Sequence, residues 1–172
     1  AAFYQGDVAD AGLVRRIVAD RKVDAVVHFA GSIVVPDSVA DPLGYYENNV
    51  VKTHALLRTL AQSGVGNFIF SSTATVYAAD APQPLAEEAA KGPLSPYARS
   101  KLITEWMLAD ISRAHPLRHM ILRYFNVAGA DPKGRSGQST PFASHLIKVA
   151  SQTALGQRPK RDIFGTDYPT PD

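Results

Sequence analysis

Apolar residues recur along this chain at two spacings, and each spacing predicts one type of element. Near the start they fall at positions 13, 14, 17 and 18, which is one face of a helix, and Asp10 can cap its first turn. Two longer helices each follow a capping residue and a proline at the first helical position. These run from Pro42 to Gly64 and from Pro96 to about Ala114. A fourth helical pattern covers residues 142–155.

Short runs rich in valine, isoleucine and phenylalanine separate these helices. The runs 23–29, 67–70 and 120–125 show no polar alternation, which is typical of parallel strands that helices cover on both faces. Residues 1–6 are predicted to end another strand, with Asp7 and Val8 at the corner after it. Residues 32–39 and 78–93 are predicted to be loops.

The alternation of strand and helix predicts an α/β fold with a doubly wound parallel sheet. In such a sheet, ligands bind beyond the carboxyl ends of the strands. The residues that follow the predicted strands are Gly31, the hydroxyl-rich segment 71–75 and Asn126. We therefore expect a ligand site at this edge of the sheet.

Composition and charge bear on which partners the protein binds. The 172 residues are 45% hydrophobic and 20% charged, and the net charge of +2 comes from interspersed signs, so neither a nucleic acid nor a membrane is indicated. No apolar run approaches the roughly 20 residues that cross a bilayer. The absence of cysteine favours a reducing compartment, and we expect a cytoplasmic protein. The histidines lack the spacing of a zinc site, so no metal is expected.

The segment from Ser95 to Lys101 contains the first candidate chemistry. Tyr97 and Lys101 are four residues apart in a predicted helix, so their side chains emerge on one face. An ammonium beside a phenol favours the phenolate, which can accept a proton during catalysis. Alone, this pair is a weak signal, because an exposed aromatic residue near a solvated lysine gives the same spacing.

Longer motifs give the pair a context. They are His28-Phe29-Ala30-Gly31, Tyr45 to Val50, Phe68 to Tyr77, Ser95 to Leu102, Leu122 to Asn126 and Ile163 to Pro169. In this order, over nearly the whole chain, they resemble the UDP-glucose 4-epimerase family of the extended short-chain dehydrogenases/reductases. The resemblance implies a Rossmann-like NAD-binding fold, NAD as the cofactor, and interconversion of UDP-galactose and UDP-glucose in galactose metabolism.

The resemblance also implies catalytic roles. Tyr97 would take the proton from the sugar's 4-hydroxyl while a hydride leaves C4 for NAD, and Lys101 would hold the nicotinamide ribose. Thr73 stands where the family usually has serine, and either hydroxyl can bridge the sugar oxygen and Tyr97. The keto sugar would then take the hydride back on its other face, so NAD is not consumed.

The same resemblance implies two sets of binding residues. The NAD contacts would be Asp7, Val8, Phe29, Ala30, Gly31, Asn48, Thr73, Tyr97, Lys101 and Phe125. The substrate contacts would be Thr73, Tyr97, Asn126, His145, Leu146 and Phe164. His145 departs from the family pattern, since many relatives have asparagine there.

Two domains are expected, a partial NAD-binding domain over residues 1–130 with the catalytic residues, and the start of a nucleotide-sugar lobe over 131–172. The Gly-x-x-Gly-x-x-Gly turn that opens family members is absent from the sequence. We interpret the chain as an internal fragment that would be inactive alone. For the whole protein, apolar residues around Leu57 and Met107 predict a homodimer through the helices 42–63 and 96–114.

Two other functions stay open at this point. A nucleotide-sugar dehydratase would share the fold, but it would carry an acidic pair where this chain has Ala74 and Thr75. A non-catalytic NAD-binding module would tolerate loss of the tyrosine or the hydroxyl, whereas Thr73, Tyr97 and Lys101 are all present. The sequence does not decide whether N-acetylated UDP-sugars are accepted.

Overall fold

A computed structural model of the chain describes residues 1–140, 145–160 and 162. Helices and strands alternate along these residues. In chain order they are α1 (Ala11–Arg21), β1 (Ala25–His28), α2 (Val35–Ala40), α3 (Pro42–Tyr46), α4 (Lys52–Gln62), β2 (Asn67–Thr73), α5 (Pro96–Ala114), β3 (Arg118–Tyr124) and α6 (Leu146–Ala154).

The three strands form one parallel sheet in the order β1-β2-β3. The predicted α/β class with a parallel sheet is confirmed. The strands end at His28, Thr73 and Tyr124, and Thr73 pairs with Tyr124 in the register. Because parallel strands run the same way, these carboxyl ends lie along one edge of the sheet.

The hydrophobic core lies on one face of the sheet. Phe68 and Phe70 of β2 are fully buried there, against Leu56, Leu60 and Leu108 of α4 and α5. On the other face Val27 and Met120 are 50% and 57% exposed. The described residues therefore leave these two positions of the sheet partly open to solvent. An unbroken apolar run predicts that both faces of a strand are buried. It does not show which helix covers each face.

Residues 1–6 form no strand, contrary to the prediction. A strand needs a neighbour that shares its hydrogen bonds, and no described strand pairs with this segment. A turn follows this segment, in which the Asp7 carboxylate accepts a hydrogen bond from the N–H of Ala9 at 2.9 Å, but without a strand it is not the predicted strand-to-loop corner.

The predicted helix from Pro42 to Gly64 is divided. A π-helical turn, Glu47–Val51, separates α3 from α4, and it accommodates the two central asparagines. π-Helical turns inside α-helices are frequent at functional sites. Upstream, α2 forms from residues 35–39 of the segment predicted to be a loop and extends one residue beyond it.

The other bounds differ from prediction by a few residues. β2 runs three residues further than expected, into the hydroxyl-rich segment, and β3 begins two residues earlier. α1 and α5 begin after Asp10 and Ser95 as predicted, because both side chains accept a backbone N–H of the first turn. The predicted helix 142–155 is observed from Leu146, and residues 142–144 lie outside the described residues.

The chain divides into two compact units, Ala1–Phe125 and Asn126–Asp172. The first contains the sheet with α1 to α5, and the second contains α6. In neither unit does a described helix combine the length and hydropathy that crossing a bilayer requires.

Candidate functional site

The first turn of α5 orients the Tyr97 and Lys101 pair. Ser95 caps the helix by accepting the N–H of Ala98 at 3.1 Å, and Pro96 occupies the first helical position. Tyr97 and Lys101 both lie on the buried face of the helix. The Nζ atom of Lys101 is 5.9 Å from the centre of the Tyr97 ring. The spacing seen in the sequence therefore gives a real contact.

Lys101 connects α5 to the carboxyl end of β2. Its Nζ donates a hydrogen bond to the carbonyl of Ser71 at 3.0 Å and lies 5.1 Å from the centre of the Phe70 ring. Burial lowers the pKa of the Lys101 ammonium to about 8. The structure thus holds a cation at the ligand edge of the sheet, although burial disfavours it.

Thr73 ends β2 and is buried. Its Oγ1 accepts the N–H of Thr75 at 3.2 Å and lies 3.0 Å from Oγ1 of Thr75. These bonds fix the Thr73 rotamer at the start of a single 3₁₀ turn, Ala74–Val76. A hydroxyl held in this way can exchange hydrogen bonds with a reacting oxygen without rearranging.

The loop after β1 approaches Lys101 through a glycine. Gly31 has a φ of +153°, which favours glycine, and a β-carbon there would lie 3.1 Å from Oδ1 of Asn49 and 3.6 Å from Nζ of Lys101. The absence of a side chain keeps open a cradle beside the ammonium. Backbone exposed in this way suits close approach by a dinucleotide.

Sequence reasoning missed Asn49, which holds this loop. The buried amide of Asn49 accepts the N–H of Ser32 at 2.8 Å, donates to the carbonyl of Ser32 at 3.0 Å and donates to Oγ of Ser100 at 3.1 Å. It thereby joins the Gly31 loop to α5. A signal was present, since Asn49 precedes buried Thr53 and Leu56 at helical spacing, and a polar residue on a core stripe needs partners.

Asn48, predicted to contact NAD, lies beside Asn49 in the same π-helical turn. Its Nδ2 donates to Oγ of Ser32 at 2.9 Å. The predicted Asn48 and the missed Asn49 therefore both hold Ser32, next to the Gly31 cradle.

The remaining predicted NAD residues of the first unit lie near the surface. Phe29 and Phe125 follow β1 and β3 and are 64% and 69% exposed, and Ala30 is also exposed. Asp7 pairs with Nζ of Lys52 at 2.7 Å, and this hydrogen bond, with that of Ala9, lowers the pKa of the Asp7 carboxyl. Val8 is partly buried against the core.

His28 is the last residue of β1 and is buried. Its Nε2 lies 3.0 Å from Oγ1 of Thr53, and its ring lies against those of Phe68 and Phe70. Burial, with a smaller contribution from the Lys101 charge, lowers the pKa of His28 to about 4. His28 is therefore neutral near pH 7 and adds no charge next to Lys101.

Three of the predicted substrate residues meet in the second unit. Asn126, His145 and Leu146 line one pocket of about 480 Å³, with Lys148 also in its wall. Within the described residues, the buried Nδ1 of His145 has no hydrogen-bond partner. Phe164 lies outside the described residues. The roles of all the predicted site residues stay predictions.

No group of three histidine, aspartate or glutamate side chains with ligand-like spacing occurs in the part of the chain that the structure describes.

Comparison with known proteins places this geometry in context. The model of the NAD dependent epimerase/dehydratase family matches residues 1–168. The UDP-glucose 4-epimerase of Azospirillum brasilense is 56% identical over 168 residues, which cover 98% of this chain and 48% of that protein. The chain spans about half the length of the curated relatives it matches.

Solved structures agree with the sequence relatives. The crystal structure of UDP-glucose 4-epimerase from Brucella ovis in complex with NAD has a TM-score of 0.92 at 40% identity, covering 100% of this chain and 53% of that one. The enzyme from Stenotrophomonas maltophila, with bound NAD and formylated UDP-arabinopyranose, has a TM-score of 0.88 at 37% identity and covers 99% and 52%.

Proposed function

The chain belongs to the NAD dependent epimerase/dehydratase family, and on that premise we propose that the whole protein interconverts UDP-galactose and UDP-glucose. The relatives that support this reaction are named UDP-glucose 4-epimerases, and two of them are solved with NAD. The nucleotide-sugar class is supported by the UDP-sugar bound in one of them. The proposed pathway setting is galactose metabolism, and the cytoplasmic location expected from the sequence stays a prediction.

The observation that carries the proposal is the contact of Lys101 with Tyr97 on one buried helix face, next to the end of β2 that bears Thr73. In the proposed reaction, Tyr97 takes and returns the proton of the sugar's 4-hydroxyl. Thr73 exchanges hydrogen bonds with the same oxygen. Lys101 stabilises negative charge on the phenol oxygen and holds the cofactor's ribose.

The residues around Gly31 fit NAD, because the cradle beside Lys101 is one that a β-carbon would fill. When bound, NAD supplies the acceptor and donor of the hydride at C4. Lys101 would present its ammonium to the nicotinamide ribose and Asn48 its amide to the cofactor, and the exposed rings of Phe29 and Phe125 offer apolar contacts. Asp7 and Val8 would lie near the adenine.

The pocket of the second unit is proposed to take the uridine diphosphate. Asn126 supplies an amide, Lys148 an ammonium and Leu146 an apolar wall. His145 stands where many relatives have asparagine. Its buried Nδ1, which has no hydrogen-bond partner among the described residues, is a polar atom that a ligand could satisfy.

The test is direct. The whole protein is incubated with UDP-galactose, and UDP-glucose is measured by chromatography, together with the NAD content of the protein before and after turnover. We expect UDP-glucose to form without loss of NAD. Release of a 4-keto-6-deoxy sugar would establish a dehydratase instead, and bound NAD with no turnover of either sugar would establish a binding module.

We also propose that the whole protein is a homodimer, although not through the residues that the sequence suggested. Leu57 belongs to the core, and Met107 packs against that core. The outward apolar residue of α5 is instead Trp106, which is 59% exposed. Trp106 also lines a groove of about 420 Å³, whose other walls include Tyr46 of α3, Ile103 of α5 and residues 91–93.

A half-exposed tryptophan in the wall of a groove is the kind of aromatic anchor that a two-fold contact between identical copies would bury. Light scattering over a concentration series tests this on the whole protein. We expect a dimer mass in the micromolar range and a monomer mass for Trp106→Arg. A monomer at every concentration of the wild-type protein would refute the dimer.

A further inference from the structure

One buried carboxylate joins three elements of the fold. Glu105 lies on the face of α5 that carries Lys101, one turn further along the helix. Its Oε1 accepts the hydroxyl of Ser72 of β2 at 2.5 Å, and its two oxygens accept three hydrogen bonds from Arg123 of β3 at 2.7 to 3.2 Å. The Glu105 side chain is only 5% exposed.

Arg123 extends this cluster to the segment that leads into α5. Its Nη1 donates to the hydroxyl of Tyr77 at 2.9 Å and to the carbonyl of Glu87 at 2.8 Å. The guanidinium also lies 5.1 Å from the centre of the Tyr77 ring. The cluster therefore links β2, β3 and the segment before α5 to α5, the helix whose first turns carry Tyr97 and Lys101.

The position of the cluster in the chain is informative. Ser72 directly precedes Thr73, and it pairs with Arg123 in the strand register. Thr73 in turn pairs with Tyr124. The Glu105 carboxylate thus connects the residue before Thr73 to the helix that carries Tyr97 and Lys101.

Stability alone does not account for this arrangement. Removing two charges from water costs several kcal/mol per ion, so a buried ion pair is often no more stable than apolar residues of the same volume. Such a pair instead fixes the relative position of the two elements that carry it, because its bidentate hydrogen bonds form in only one register. A slide of α5 by one residue would move it about 1.5 Å and break all of them.

We propose that Glu105 is a positioning residue, which fixes the separation of the Thr73 hydroxyl and the Tyr97 phenol through its bonds to Ser72 and Arg123. The expected effect of Glu105 on turnover rests on the proposed function. Its effect on the separation of the two hydroxyls does not. Lys101 also bridges α5 and β2, but it does so with a group that the proposed reaction uses. The Glu105 cluster makes the same connection without a reacting group.

The first test is Ser72→Ala in the whole protein, which removes one bond to Glu105 and keeps the ion pair. We expect kcat to fall at least about tenfold, with the KM for the UDP-sugar and the NAD content unchanged, because displacement of reacting groups by about an ångström reduces rates strongly. Glu105→Gln should lower kcat further, since the amide leaves Arg123 unmatched in a buried site.

Ser112→Ala is the matched control. Ser112 also lies on α5, and its hydroxyl lies 2.6 Å from Nδ1 of His119 of β3, but this bond lies towards the other end of the helix. We expect it to lower the melting temperature about as much as Ser72→Ala while kcat stays at the wild-type value. Equal kcat values for the two serine variants would overturn the proposal.

A crystal structure of Ser72→Ala tests the positioning role of Glu105 without an activity assay. We expect the distance between the Thr73 and Tyr97 hydroxyls to change by about 0.5 Å or more, a displacement sufficient to disturb a catalytic geometry. An unchanged distance would overturn the positioning role. Failure of the wild-type protein to convert UDP-galactose would refute the proposed function, and this crystallographic comparison would still decide the role of Glu105.

Discussion

The ammonium of Lys101 and the backbone carbonyl of Ser71 are joined by a 3.0 Å hydrogen bond at the carboxyl edge of the sheet. Burial lowers the pKa of Lys101 to about 8, so the folded protein holds this cation at a cost in free energy. A site that retains an unfavourable charge next to a phenol and an open glycine cradle is arranged for chemistry rather than for stability.

We therefore predict that Lys101→Met stabilises the whole protein while abolishing its activity. Methionine fills a similar volume without a charge, so the free energy of unfolding should rise by about 1 kcal/mol or more. Turnover should fall at least about 100-fold. Urea unfolding and the epimerase assay measure the two effects.

The exposed Lys22 supplies a control, since Lys22→Met should change stability by less than about 0.5 kcal/mol. The wild-type free energy of unfolding should also rise between about pH 8 and 10.5, where the unfolded state still binds the proton that folded Lys101 has lost. A clear loss of stability in Lys101→Met would show that the bond to Ser71 outweighs the cost of burial.

Tyr97→Phe should reduce turnover at least about 100-fold, the usual scale for loss of a positioned proton acceptor. The ring is retained, so the melting temperature should change little. Tyr4→Phe is the matched control, because it removes a phenol that accepts a hydrogen bond from Arg21, on α1. Near-normal turnover of Tyr97→Phe would remove this residue from its proposed role.

The parts of the fold that the sequence predicted well are those with local causes. α1 and α5 begin where a side chain caps the first turn, and both starts were predicted from Asp10 and Ser95. Tyr97 and Lys101 share a face because helical spacing alone requires it. Caps and periodicity act within a few residues, so a sequence displays them directly.

The features that the sequence did not predict depend on partners distant in the chain. Residues 1–6 have the composition of a strand, but no described strand pairs with them. Val27 is a residue type that is usually buried in a strand, but here it is half exposed. Asn49 and Glu105 act through bonds to residues on other elements. Both lie on buried helix stripes, and a polar residue on such a stripe is the signal that could have identified them.

The family usually has serine at the position of Thr73, and we predict that serine can replace this threonine. Thr73→Ser keeps the hydroxyl, which can still accept the N–H of Thr75, so turnover should stay within a few-fold of wild type. Thr73→Val keeps the shape and removes the hydroxyl, and turnover should fall at least about tenfold. Equal turnover of the serine and valine variants would show that the Thr73 hydroxyl takes no part in the reaction.

His28 predicts how stability depends on pH. Its folded pKa is about 4, below the ordinary value of 6.5, so between these values the unfolded state binds a proton that the folded state does not. The stabilising contribution is complete above about pH 6.5 and is lost as the pH falls towards 4. The limiting slope for one such group is about 1.4 kcal/mol per pH unit.

His28→Gln should flatten this dependence, because an amide can still bond to Oγ1 of Thr53 but does not titrate. Urea unfolding of the whole protein at several pH values between about 4 and 7 measures the slope for both proteins. His54→Gln, which replaces an exposed histidine of α4, should keep the wild-type slope. If His28→Gln kept it too, the acid sensitivity would have to come from other groups, and the neutral state of His28 would have no part in it.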